Sequence, residues 1–423
     1  MLTQARSQTL QLSDWLERIS RQHPAEISLG LDRCKTVFNR LFPGNWYIPI
    51  LIVAGTNGKG STVAYADALA RAANLDVLTF TSPHLIDYRE RLCLNNQWLE
   101  EEQHIEAFQA IENVAADIPL TYFEFSALSA FFWAFKLKPD LLILEVGLGG
   151  RLDATNLIPA DVAVITTVDL DHQDYLGDTL EAIASEKLGV IHESTTAIIA
   201  DQTIPVPCIK SIQAKQLIRA GVDYEIKDKA LVIDSKTTIS LNDVIKPATN
   251  SAAAIMAIHK LFPSMISKAL VQKANELLSL TGRQQVINTV PLVVVDVAHN
   301  PQAMKHLMSC KDKWNKGDVY AVIGMLADKN IKACLELMCD HIDHWVLCSL
   351  DTPRAYPVEL LEKDLLSLGI SIDAVTCYPS VQEAYAHALA EADNKEDTVL
   401  VTGSFYTVGP TLEIEVLKQE KLQ

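Results

Sequence analysis

One stretch, Ile48 to Ala73, limits the folds open to this chain more than any other. It reads IPILIVA, then GTNGKGS, then TVAYADALARAA: an apolar β-rich run, a glycine-rich turn, and a good helix former. That order sets a helix N-terminus directly after a buried strand. The first N–H groups of a helix have no intrahelical acceptor, and the positive dipole end favours an anion there. Gly55, Gly58 and Gly60 let the backbone bend tightly and approach a ligand closely. Lys59 adds a cation and Ser61 a hydroxyl. This is the chemistry of a nucleotide phosphate site. The match to the usual phosphate-loop pattern is imperfect: Val53 stands where the first glycine belongs, and Gly60 where Ser or Thr should follow the lysine. A metal at this loop would therefore need ligands from elsewhere.

Further strands and loops continue the α/β pattern. Leu10, Leu12, Trp15, Leu16 and Ile19 fit an amphipathic helix, and Ser28-Leu29-Gly30-Leu31 reads as a turn before a second one. DVLTF, Asp76 to Phe80, reads as a strand running into TSPHL, with Ser82 and His84 just past its end. Ligands of open α/β sheets bind at such carboxyl ends, so Ser82 is a candidate metal or phosphate ligand, or else a turn serine. A strongly apolar helix begins near Thr121; Phe123 and Glu124 at its start could meet an aromatic substrate or simply pack and face the helix dipole. LLILEV is a continuous apolar strand of the buried parallel kind, ending at Glu145 before GLGGRLDATN. A carboxylate there suits Mg²⁺. Arg151 and Asp153 follow as candidates for polar substrate contacts. DVAVITTV, Asp161 to Val168, is another buried strand, and His172 lies beyond it among Asp169, Asp171, Asp174 and Asp178. The residues alone leave His172 open between ligand and structural histidine, and make Lys187, in EAIASEKLGVI, an exposed helix lysine.

From residue 196 the pattern weakens. YEIKDKALVIDSKTTISL alternates like a small antiparallel hairpin, and ATNSAAAIMAIHKLF is a helix with Asn250 near its start. TGRQQVINTVP, Thr281 to Pro291, breaks the run and marks a domain boundary. Beyond it LVVVDV, VYAVIGM, HWVLCSL, DAVTC and TVLVTGS alternate with helical segments as in a doubly wound layer, with Asp296, His299 and Asn300 at the edge of the first strand. The expected fold is thus α/β. A phosphate-loop ATPase domain spans residues 1–285, with a mostly parallel sheet, a small antiparallel sheet and an N-terminal cap. A Rossmann-like α/β domain spans 286–423.

The 423 residues carry 36 Lys and Arg against 53 Asp and Glu, a formal charge of −17 that disfavours nucleic acid and anionic membranes as partners. Eight cysteines without a CxxC pair read as reduced thiols of a cytoplasmic protein. No uninterrupted apolar h-region opens the sequence, and no run approaches the roughly 20 residues of a membrane span.

GTNGKGS, TSPHL, LEVGLGGRLDATN, LDHQDYLG with a following SEK, and DVAHNP occur in that order. Together they resemble the folylpolyglutamate synthases, ATP-dependent amide-forming ligases of the Mur ligase superfamily, across essentially the whole chain. SLGLDR and TYFEF look like the bacterial bifunctional form, which is also a dihydrofolate synthase. The resemblance implies a monomer of two domains with ATP held between them, and small-molecule substrates: dihydropteroate, tetrahydrofolate, L-glutamate and ATP. It implies that Gly55, Thr56, Asn57, Gly58, Lys59, Gly60 and Ser61 hold the phosphates, and that Asn250, Arg283 and Asp296 contact the nucleotide. Ser82, Glu145 and His172 would ligate Mg²⁺, two ions being expected, alongside a monovalent cation. Lys187 matches a lysine carbamylated in the family; with Lys59 and His299 it completes the implied catalytic set. Ser28, Leu29, Gly30 and Leu31, Thr121, Tyr122, Phe123 and Glu124, and Leu152, Asp153 and Ala154 match dihydropteroate-binding segments. A monofunctional folylpolyglutamate synthase, a peptidoglycan Mur ligase and a nucleotide-dependent switch protein are the competing readings.

Overall fold

Alternation of side chains along fully buried strands explains the larger layer. In Ile50–Ala54, Leu51 and Val53 point to one side of the sheet and Ile50, Ile52 and Ala54 to the other, and all five are buried. Leu141–Glu145 behaves the same way, with Leu141 and Ile143 on the first side and Leu142 and Leu144 on the second. Strands apolar on both faces need helices above and below, and the chain supplies them. Lys59–Ala72, Ala248–Leu261 and Lys268–Leu277 cover one face. Leu12–Ser20, Asp32–Leu41, Glu101–Ala115 and Tyr122–Leu137 cover the other, around Trp15, Phe38, Phe108, Phe125 and Phe131.

The computed structural model describes residues 10–23, 28–233, 237–241, 247–314, 316–392 and 396–420. Contacts divide the chain into two compact units: residues up to Ser82 with Tyr88–Leu278, and Pro83–Asp87 with Ser279–Gln423. Among the described residues, the sheet of the first unit has eight strands. Their spatial order is Gln97–Trp98, Leu92–Leu94, Val77–Phe80, Leu141–Glu145, Ile50–Ala54, Val162–Ile165, Thr196–Ile199 and Gln216–Arg219. The last six are mutually parallel, and the hairpin at the start is antiparallel. Val53 sits in register with Glu145, so the strand before the glycine turn and the strand before Glu145 end side by side.

Three details differ from the sequence expectation. The Asp161–Val168 strand ends at Ile165. Beyond it the Thr166 hydroxyl and the Thr167 carbonyl turn to the glycine loop instead of a neighbouring strand. The small antiparallel hairpin gains a third strand: Tyr224–Lys227, Ala230–Ile233 and Thr237–Ser240 form one sheet, with Leu231, Ile233 and Ile239 facing the core. Thr281–Pro291 is more than a break, because it contains the strand Gln285–Thr289.

That strand is the antiparallel edge of the second unit's sheet. Its order is Gln285–Thr289, Leu292–Val295, Thr398–Thr402, Val319–Ile323, His344–Cys348 and Val375–Tyr378, the last five parallel. Among the described residues no helix is long and apolar enough to cross a membrane.

Candidate active site

The glycine turn is held in a shape that only glycine serves. Gly58 has φ +85°, and a methyl there would stand 2.6 Å from Oδ1 of the buried Asn250. Gly55 is also in left-handed territory, at φ +153°, with Thr166 pressed against its Cα. The neighbouring strand end pins the loop. Thr56 N–H donates to Thr167 O at 2.7 Å and Asn57 N–H to Thr167 Oγ1 at 2.9 Å, while Thr166 Oγ1 donates to Asn57 O at 2.7 Å. Lys59 is the first residue of its helix. Its ammonium folds back over the loop and donates to Gly55 O at 3.1 Å and Thr56 O at 3.3 Å. The nest, a helix start and a cation therefore coincide.

Two more candidates meet this loop, and a third lies on the segment that pins it. Glu145 is only 6% exposed and accepts the Ser82 N–H at 3.2 Å on Oε2. A methyl on Gly60 would lie 3.6 and 3.7 Å from the Glu145 oxygens, so the carboxylate stands directly over the helix start. Lys187 is 4% exposed, in contrast to the solvated lysine that its sequence context suggests, and its Nζ donates to Gly55 O at 3.1 Å. Both lysine amines thus reach the same carbonyl. His172 has φ +53° and starts the short helix Gln173–Leu176, with its own N–H on Asp171 Oδ1 at 2.9 Å. It belongs to the segment whose Thr166, Thr167 and Asp169 bond the loop. Among the described residues no three His, Cys, Asp or Glu side chains form a ready metal cage. Of the three residues expected to hold a metal, Ser82 and Glu145 are in contact, through the Ser82 N–H.

A second cluster lies in the same unit. Thr121 and Glu124 form a capping box: Glu124 N–H donates to Thr121 Oγ1 at 3.2 Å, and Thr121 N–H to Glu124 Oε2 at 2.7 Å. Arg33, which sequence reasoning passed over, donates through Nη2 to Glu124 Oε1 at 3.0 Å, Ser28 O at 2.9 Å and Ser28 Oγ at 3.0 Å. The signal was present in SLGLDR, but a charge in a first helical turn looks like surface. Wholly buried Cys34 has its thiol pushed well up, first by burial and then by Glu124, which it hydrogen-bonds. The Phe123 ring covers Gly147, where a methyl would stand 2.5 Å from its carbons. Asp153 bonds its own loop: it accepts from Gly147 N at 3.1 Å, Leu148 N at 2.9 Å, Thr155 N at 2.9 Å and Thr155 Oγ1 at 2.6 Å. Burial pushes this carboxyl up, against the lowering pull of those donors. Arg151 pairs with Glu186 at 2.7 Å. Asp153→Ala strands several buried donors at about 1–3 kcal/mol each, not additively. We expect roughly 3 kcal/mol of destabilisation, read as a melting midpoint lower by about 6–12 °C in a thermal scan.

In the second unit Asp296 accepts from Gln284 N at 2.9 Å and Ala298 N at 2.8 Å. Burial pushes its carboxyl up, and the Arg283 guanidinium and both N–H groups oppose that. Arg283 also lies over the Phe405 ring at 5.3 Å, and the His299 ring is 6.2 Å from the same phenyl. His299 Nδ1 is 2.8 Å from Val297 O, an acceptor that requires the proton on Nδ1.

A Mur ligase middle-domain family model matches residues 53–290, opening two residues before the glycine turn. A Mur ligase glutamate-ligase-domain model matches 282–405, from beside Arg283 to Phe405. The dihydrofolate synthase/folylpolyglutamate synthase of Escherichia coli K12 is 38% identical over 411 residues, 95% of each chain. The chain belongs to the dihydrofolate synthase/folylpolyglutamate synthase family. The Haemophilus influenzae member is 35% identical over 95% of this chain and 96% of its own. Solved family structures superpose along nearly the whole length. E. coli FolC in complex with DHPP and ADP gives a TM-score of 0.88 at 36% identity, covering 97% of this chain and 99% of that one. A bifunctional folylpolyglutamate synthase/dihydrofolate synthase with Mn, AMPPNP and L-glutamate bound gives 0.87 at 35%, covering 96% and 98%.

Proposed function

We infer that the chain is an ATP-dependent ligase that joins L-glutamate to dihydropteroate, forming dihydrofolate, and to tetrahydrofolate, forming folylpolyglutamates. A carboxylate resists amine attack because its leaving group would be oxide. Transfer of the γ-phosphoryl group to that oxygen makes an acyl phosphate, whose leaving group is phosphate. Lys59 and the loop N–H groups of residues 55–61 stabilise charge on the transferred group. The neutral glutamate amine then attacks the acyl carbon, phosphate departs, and a base or solvent takes the amine proton. Asn250, Arg283 and Asp296 contact the nucleotide, and His299 takes part in catalysis. Ser28–Leu31, Thr121–Glu124 and 152–154 receive dihydropteroate, with Asp153 shaping its loop through the four hydrogen bonds above.

Ser82, Glu145 and His172 would hold Mg²⁺, which when bound neutralises phosphate charge. The reading includes two such ions and a monovalent cation. The observation that carries it is the convergence of Lys59 and Lys187 on Gly55 O, 3.1 Å from each, in the loop whose Gly60 lies against the Glu145 carboxylate. Two ammonium groups on one carbonyl repel. Carbamylation of Lys187 removes the repulsion and adds an anionic oxygen donor to the metal set. We read the enzyme as a monomer of the cytoplasm, in keeping with eight free cysteines.

The test is ATP- and Mg²⁺-dependent incorporation of labelled glutamate, with dihydropteroate and tetrahydrofolate offered separately. Incorporation into both is expected. None into either overturns the reading, and incorporation into the folate alone makes the enzyme monofunctional. Gly58→Ala forces a methyl against Asn250 in a strained backbone, and displacement of this kind at a site is worth tenfold or more. Its KM for ATP is expected to rise about tenfold in steady-state assays, with KM for dihydropteroate little changed.

A further inference from the structure

Arg33 links two segments that are far apart in sequence. Its Nη2 holds Ser28 through the carbonyl oxygen and the hydroxyl, and holds Glu124 through Oε1. Glu124 is in turn tied to Thr121 N–H at 2.7 Å, so one guanidinium fixes the start of the apolar helix to the turn that precedes the Asp32–Leu41 helix. The pair is partly shielded, with the Arg33 side chain 27% exposed and that of Glu124 4%. The next residue, Cys34, hydrogen-bonds the same carboxylate, and its thiol also senses Asp153 from the third segment. The first turn of this helix therefore joins the first two segments. The Arg33 Nε–H is buried and has no hydrogen-bond partner among the described residues. A buried guanidinium donor left unmet is unfavourable, and an acceptor arriving with a ligand would satisfy it.

We propose that Arg33 is the positioning residue of the dihydropteroate site, locking Ser28–Leu31 to Thr121–Glu124 and offering its Nε–H to the incoming pterin-bearing acid. The proposal rests on the function inferred above. Arginine suits the task because its planar fork reaches several acceptors in fixed geometry, which a lysine ammonium does not reproduce. Glu124 supplies the counter-charge that keeps the fork in place.

The experiment compares wild type, Arg33→Lys and Glu124→Gln in steady-state ligation of glutamate to dihydropteroate, with separate KM values for the acid, ATP and glutamate. Arg33→Lys keeps the positive charge but loses the fork and the Nε–H. Its KM for dihydropteroate is expected to rise about tenfold, while kcat and the KM values for ATP and glutamate stay within about threefold. Glu124→Gln, which frees the guanidinium from its ion pair, is expected to move the same KM in the same direction by a smaller factor. An unchanged KM for dihydropteroate in Arg33→Lys overturns the proposal. So does a fall in kcat and melting midpoint with that KM intact, the pattern of a purely structural residue. If Arg33→Lys does not fold, the Glu124→Gln value decides by the same criterion. Wild type unable to use dihydropteroate would defeat the inferred function itself, a result distinct from wild-type turnover with unmoved variants.

Discussion

Lys59→Ala is expected to lower kcat with either acceptor by about a thousandfold, while the melting midpoint stays within a few degrees of wild type. The two effects separate because the lysine opens a helix whose preceding loop is held by other bonds. Thr56, Asn57, Thr166 and Thr167 hydrogen-bond one another whether or not Lys59 is present. What alanine removes is the charge at the helix start, and phosphoryl transfer depends on electrostatic stabilisation more than on any covalent step by the protein. Turnover per folded enzyme, with folding followed by circular dichroism, checks this. Near-normal turnover would remove Lys59 from the mechanism.

Lys187→Ala should have the second largest effect. The amine is buried and bonded to Gly55 O, a carbonyl that keeps its bond from Lys59 when Lys187 is lost, so the effect falls on activity more than on stability. Activity is expected to fall by about a hundredfold or more, since the variant cannot form the carbamate proposed above as an anionic donor. Carbamylation is the addition of CO₂ to the neutral amine with release of one proton, so bicarbonate should raise the activity of CO₂-depleted wild type and do nothing for the alanine variant. With ¹³C-labelled bicarbonate, a carbamate resonance should be present in wild type and absent from Lys187→Ala. Active wild type that neither responds to bicarbonate nor gives the resonance would contradict the carbamate.

The legible parts of the sequence were those where one local pattern decides the outcome. ILIVA and LLILE could only be buried parallel strands, and GTNGKGS at the end of the first could only turn into a helix start. Lys187 was illegible for a tertiary reason. A methyl on Gly150 would stand 2.9 Å from Glu186 O and 3.1 Å from Lys187 O, so the helix Leu180–Leu188 lies directly on the glycine-rich loop. That close approach, made from a distant segment, buries the lysine. Arg33 was hidden similarly, because its partners Ser28 and Glu124 meet only after two helices pack. Gln285–Thr289 escaped notice because an edge strand with half-exposed positions lacks the apolar run of a central one. Gln216–Arg219, at the other sheet's edge, gave an equally weak signal. The family resemblance singled out Lys187 where local pattern could not, and it supplied a reading of Gly60, in which a hydroxyl from the TSPHL loop stands in for the one missing after Lys59.

Amide formation through an acyl phosphate is best tested by following the acceptor's own oxygen. Dihydropteroate carrying ¹⁸O in its carboxylate would be turned over with ATP, Mg²⁺ and glutamate, and the phosphate released analysed by mass spectrometry. One labelled oxygen should appear in phosphate for each amide formed. Amide formation with unlabelled phosphate would contradict the account.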